Sequence, residues 1–136
     1  MSEARSTEQD AQSPIRLAIP ADVRYLRLAR VTAAAIAADL DFTVQDVDDV
    51  RVAVDELASL LIEDAAPGAE LEICFDITGS DLSAEGRLTG GFVGTPKMHP
   101  VAAELLALVV DQYDVSVNGS HDRTFRFSKR PEDDQE

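Results

Sequence analysis

The segment VAVDELASLL, Val52 to Leu61, sets two adjacent carboxylates, Asp55 and Glu56, beside a run of apolar residues. A carboxylate on the wall of a pocket can take a proton from a hydroxyl, while the same acid on a solvated helix face only keeps the chain soluble. The other residues able to do chemistry are few. His99 lies in a Pro-flanked loop and His121 in a hairpin turn; neither has a nucleophile or ligand partner nearby, so both read as surface histidines. Cys74, the one cysteine, excludes an internal disulfide. It reads as a small core residue of a strand, although the alternation puts it opposite Ile73 and Phe75. No Cys/His cluster has zinc spacing. Gly90, Gly91 and Gly94 could line a phosphate loop, but glycines alone are weak evidence and also suit an ordinary turn. Arg24, Arg27 and Arg30 walk around one helix, with Arg30 at the border of the apolar stripe, where its stem can snorkel.

The elements that must position these groups follow from periodicity. IRLAIP alternates Ile15, Leu17 and Ile19 and predicts a strand ended by Pro20. From Asp22 to Leu40 the residues Leu26, Ala29, Ala33, Ile36, Ala37 and Leu40 recur at spacings of three and four, the signature of one helix face. Thr43 is placed to cap a second helix, with Asp46 three residues on in the capping-box position and Phe42 and Val47 set for a staple. Its core stripe is Val47, Val50, Val54, Leu57 and Leu61, and Pro67–Gly68 should stop it near Ala65–Ala66. Leu71, Ile73, Phe75 and Ile77 open a hairpin that turns at Gly79–Ser80–Asp81. Residues 90–100 are a Gly/Pro loop, VAAELLALVVDQY is a third helix, and DVSVNGSHDRTFRFS is a second hairpin turning at Asn118–Gly119. The order β-α-α-β-β-α-β-β predicts an α/β two-layer sandwich, a mostly antiparallel sheet with helices on one face. Residues 1–14 and 131–136 read as flexible tails around a single domain spanning 15–130.

Of the 136 residues 45% are apolar, enough for a core. No apolar run reaches membrane-spanning length and the N-terminus lacks a signal-peptide core, so a cytoplasmic protein is expected. The formal net charge of −14 argues against nucleic acid and anionic lipid as partners. Solubility accounts for many of these acids, yet their distribution is uneven. Asp39 to Asp64 holds nine acids against Arg51 alone, whereas Asp22 to Ala38 holds one acid and three arginines.

Together these features resemble the GHKL or Bergerat ATPase fold of histidine kinases, gyrase and anti-sigma factor serine kinases, the last of these above all. The resemblance covers roughly Ile15 to Lys129, and its best local stretch is LARVTAAAIAADLDFTVQDVDDVRVAVDELASLLIEDA, Leu28 to Ala65. In the family, a VxEAxxNAxxH-like motif supplies a Glu that activates the attacking hydroxyl and, one turn later, an Asn that holds Mg²⁺ against the phosphates of ATP. Residues four apart share a helix face. Here Glu56 matches the acid, but Leu60 occupies the metal position, and leucine offers no oxygen. The family's Asp-x-Gly-x-Gly, whose Asp binds the adenine amine, corresponds to EGRLTGGFVG, which keeps Gly90, Gly91 and Gly94 but has no aspartate. Only TPKMHP remains of the lid.

The resemblance implies a sigma-factor-binding regulator with a degenerate nucleotide pocket (Glu56, Leu60, Gly90, Gly91). Glu56 would be a relic, with no cofactor, no metal and lost or very weak kinase activity. It implies partner contacts on the first helix at Arg27 and Arg30, the latter in ARVT; the charge contrast between the two helices adds the acids Asp48 and Asp49 as rim contacts that aid the approach of a basic partner. A STAS-type anti-anti-sigma partner and a homodimer are also implied. Two alternatives stay open: an active serine/threonine kinase using ATP with Mg²⁺ at an atypical site, and an acidic dimerisation or scaffold module.

Overall fold

A computed structural model describes residues 14–117 and 123–132. Strand β1 (Ile15–Pro20) leads through a 3₁₀ turn at Val23–Tyr25 into helix α1 (Leu26–Ala38). Helix α2 (Val44–Ile62), strands β2 (Glu70–Thr78) and β3 (Asp81–Thr89), helix α3 (Pro100–Val109), and strands β4 (Gln112–Ser116) and β5 (Arg123–Lys129) follow. The strands form one antiparallel sheet in the order β1-β2-β3-β5-β4. The expected element order and two-layer architecture are those observed. Among the described residues no helix is long and apolar enough to cross a membrane.

Local chemistry explains the boundaries. The Thr43 hydroxyl accepts from the Asp46 amide and the Asp46 carboxylate accepts from the Thr43 amide, a complete capping box with Asp in place of Glu. Phe42 and Val47 are both partly buried against the core. Helix α1 begins later than its periodicity suggests, because the Asp22 side chain caps the 3₁₀ turn instead. Helix α2 ends at Ile62, short of Pro67. Glu63 has already left helical geometry, and Asp64 takes a φ of 59°. The first hairpin turns at Gly79–Ser80 with Thr78 opposite Asp81. The expected Asn118–Gly119 turn, His121, residues 1–13 and residues 133–136 lie outside the described residues.

The core fills the space between the helices and one sheet face. Ala29, Ala33 and Ala37 of α1 and Ala53 and Ala58 of α2 are fully buried, and such small side chains let the two helices pack closely. Leu71, Ile73 and Phe75 of β2, Leu82, Ala84 and Leu88 of β3, and Phe125 and Phe127 of β5 line the sheet side. The opposite face is open and polar, with Glu85 paired to Arg126 at 3.6 Å. Cys74 lies on that open face, half-exposed, and is not a core residue. Strand parity decides this, since Ile73 and Phe75 take the inward positions.

Gly86 sits in the middle of β3 opposite Phe125. A Cβ there would lie 2.3 Å from Phe125 Cε2, inside the ring's own volume. Gly86→Ala should therefore cost about 1–3 kcal/mol through overpacking. Denaturant unfolding checks this: the midpoint should fall with the slope unchanged.

Candidate functional site

Adjacent acids on a helix point about 100° apart, so Asp55 and Glu56 serve different neighbours. Asp55 faces α1 and accepts from Arg30 Nη1 at 2.8 Å. The two side chains keep 36% and 38% exposure, so this pair adds modestly to stability. Glu56 faces the other way, half-buried, into a small cavity of about 160 Å³. Ser59, Leu60 and Glu63 of the α2 side, Met98 and His99 of the following loop, and Ala102 of α3 complete its lining. Leu60 is 8% exposed. The structure thus brings Glu56 and Leu60 together as their spacing implies. His99 is exposed and caps α3: its Nδ1 accepts from the Val101 amide at 3.2 Å, with Pro100 at the first helical position.

Gly90 and Gly91 do not line this cavity. They open a loop that is closed on the end of α2. The Ala66 amide donates to the Gly91 carbonyl at 2.9 Å, and the Val93 amide donates to the Asp64 carbonyl at 2.9 Å. Gly90 has a φ of 103° and stands so near Ala69 that a Cβ would come within 2.7 Å of the Ala69 Cα. Both facts require glycine at this position for backbone reasons.

The residue that holds this region was not singled out from the sequence. Arg123, the first residue of β5, is fully buried. Its Nη1 donates to the carbonyls of Leu61, at 2.8 Å, and Glu63, and its Nη2 donates to the Gly94 carbonyl at 3.2 Å. Its guanidinium lies 4.0 Å from the centroid of the Phe92 ring. Burial pulls its pKa below the ordinary arginine value, opposed by the nearby charges of Asp64 and Glu63. The signal was present in RTFRFSK, where alternation puts Arg123 on the same side as Phe125 and Phe127.

The expected partner contacts are dispersed. Arg27 is exposed on the outer face of α1, beside Leu28 and Val31, which are 38% and 58% exposed. Asp48 pairs with Arg51. Asp49 accepts from Gln45 Nε2 at 2.8 Å and lies 3.5 Å from Lys129 Nζ, so it is committed within the domain. Lys129 also reaches Asp46 Oδ1 at 3.6 Å, and the Glu132 amide donates to Asp46 Oδ2 at 2.9 Å. Pro131 and Glu132, expected to begin the acidic tail, instead lie against the N-terminal turn of α2 with Lys129 and Arg130.

Among solved structures, the fold is similar to the crystal structure of the RsbU and RsbW domains of Rv1364c from Mycobacterium tuberculosis. The match has a TM-score of 0.69 at 14% identity over 88% of this chain. The chain spans about a third of that neighbour's length, 32%. At this identity the likeness is one of fold. No family model and no curated protein sequence matches the chain.

Burial works to raise the Asp46 pKa, but the amides of Glu132 and Thr43, the Lys129 charge and the Thr43 hydroxyl outweigh it and hold it below the ordinary 3.8. A depressed carboxylate stabilises the fold above its unfolded value and loses that contribution as pH falls through the folded one. Asp46→Ala should cost about 1–3 kcal/mol near neutrality. Denaturant melts against pH provide the check. The gap between wild type and variant should stay constant down to about pH 4 and close below it.

Proposed function

We propose that this chain is an anti-sigma-factor-like regulatory domain that binds a sigma factor without using a nucleotide. The observation that carries the reading is Leu60, buried beside Glu56 in a cavity of about 160 Å³. Pockets that enclose ligands of nucleotide size run to roughly 300–1,000 Å³. Phosphoryl transfer relies on positioning and on a metal that neutralises developing charge. A leucine supplies neither, and Glu56 alone has nothing to activate. The likeness in fold to a structure that contains an RsbW domain supports the regulatory reading.

On this reading the partner meets the outer face of α1. Arg27, Leu28 and Val31 give that face a cation beside exposed apolar surface, a composition suited to an interface centre. Arg30 borders it, oriented by Asp55. Asp48, at the rim, would aid the approach of a basic partner surface. Asp49 drops out of the contact set because Lys129 and Gln45 already engage it. A STAS-type partner would compete for the same face, and the domain would pair as a homodimer in the cytoplasm.

Two measurements test the reading. A ligand confined to the folded state adds roughly 2.7 kcal/mol at a hundredfold excess over Kd. Millimolar Mg-ATP should leave the melting temperature unchanged; a magnesium-dependent rise of several degrees would restore the kinase alternative. Leu60→Asn should lower stability by roughly 1–3 kcal/mol, through an unpaired buried amide, without gaining ATP binding.

The second measurement is binding kinetics against purified sigma factors from the same genome. Arg27→Ala should raise the dissociation rate about tenfold or more, as interface arginines often do. Asp48→Asn should mainly slow association and weaken its salt dependence. If no sigma factor binds, the scaffold alternative stands in its place.

A further inference from the structure

Arg123 is a cation without a carboxylate hydrogen-bond partner among the described residues. Its charge is met by the carbonyls of Leu61 and Glu63 at the C-terminal end of α2, where the helix dipole is negative. It is met also by the Gly94 carbonyl and by the face of Phe92. Each contact comes from a segment that would otherwise have orphan acceptors or loose backbone. The Phe92–Gly94 segment needs such an anchor. It follows Gly90 and Gly91 and ends in Gly94, all three with positive φ, at 103°, 100° and 74°. Glycines in that region carry the largest backbone entropy cost of ordering. Among the described residues, two main-chain bonds join the loop to the segment after α2, through Ala66 and Val93, and the guanidinium is the one side chain that hydrogen-bonds to both sides at once. Only a planar fork can do this; a lysine is a point charge with no flat face for the ring.

We propose that Arg123 is a built-in ligand of this loop, whose guanidinium holds the Gly90–Gly94 segment shut against the C-terminal turn of α2. The closed loop is then a permanent property of the chain, needing no bound small molecule. This deepens the proposed function, resting on it only for the identification of the loop as the remnant of a nucleotide site.

The test is residue-resolved amide exchange on wild type and Arg123→Ala, with no partner present. The amides of Val93 and Ala66 should exchange about tenfold faster or more in the variant, while those of β2 and β3 keep their protection. Unchanged exchange at Val93 in the folded variant would overturn the proposal. So would uniform loss across the domain, which would mark the arginine as a general core residue.

Wild type supplies a second readout that does not depend on the variant folding. The Arg123 side-chain N–H resonances should be slowly exchanging and shifted upfield by the Phe92 ring; resonances averaged with those of exposed arginines would also overturn it. Mg-ATP added to the variant separates the two readings. Nucleotide protection of the freed loop would support Arg123 as its closure while sinking the lost-site reading of the wild type.

Discussion

A charge taken out of water must find its counterpart within the fold. Strand β5 imposes this constraint twice, because both ends of its inward face carry a cation, Arg123 and Lys129. Between them lie Phe125 and Phe127, stacked at 6.4 Å between centroids in the middle of the core. Helix α2 lies over this strand, and its two ends answer the two charges. From Asp46 to Leu61 the helix runs about 22 Å, and β5 runs about 20 Å, so the termini match. The C-terminal carbonyls receive Arg123 with the helix dipole in their favour. At the N-terminus the dipole opposes a cation, and the acids Asp46 and Asp49 take its place as partners for Lys129. The register of α2 on the sheet is thus fixed by electrostatics at both ends and by apolar packing between.

That register determines what the rest of the helix can do. With the Val50, Val54, Leu57 and Leu61 side against the core, Asp55 must face α1 and Glu56 must face α3 and the preceding loop. Asp55 becomes a tie to Arg30. Glu56 becomes part of the wall of a small cavity that it shares with Leu60, Ser59 and Glu63. The acids that looked from the sequence like one interaction surface are therefore divided among three jobs. Asp46 and Asp49 neutralise a buried lysine, Asp48 pairs with Arg51 at the surface, and Asp55 joins the two helices. Among the described residues, the outer face of α1, with Arg27, Leu28 and Val31 exposed, has no such ion pair or hydrogen bond.

Much of this was legible in the chain, for physical reasons that are local. Thr43 and Asp46 lie within one turn, so their capping box can be read without any tertiary knowledge. Strand alternation in β2 separates Ile73 and Phe75 from Cys74, and the parity that placed Cys74 on the open face was visible beside the residue-type preference that placed it in the core. The C-terminal boundary of α2 was not legible. Pro67 and Gly68 are local stop signals, yet the helix yields at Glu63, where Arg123, far along the chain, draws the carbonyls of Leu61 and Glu63 to itself.

The sequence by itself determined the order of the elements and the faces they bury, because periodicity, capping and side-chain chemistry act over a few residues. Only the tertiary structure decided which charges are free. Arg30, Asp49 and Lys129 look alike as exposed ions in one dimension. Their partners lie on other elements, and a buried or half-buried ion is settled by what the fold brings within about 4 Å of it.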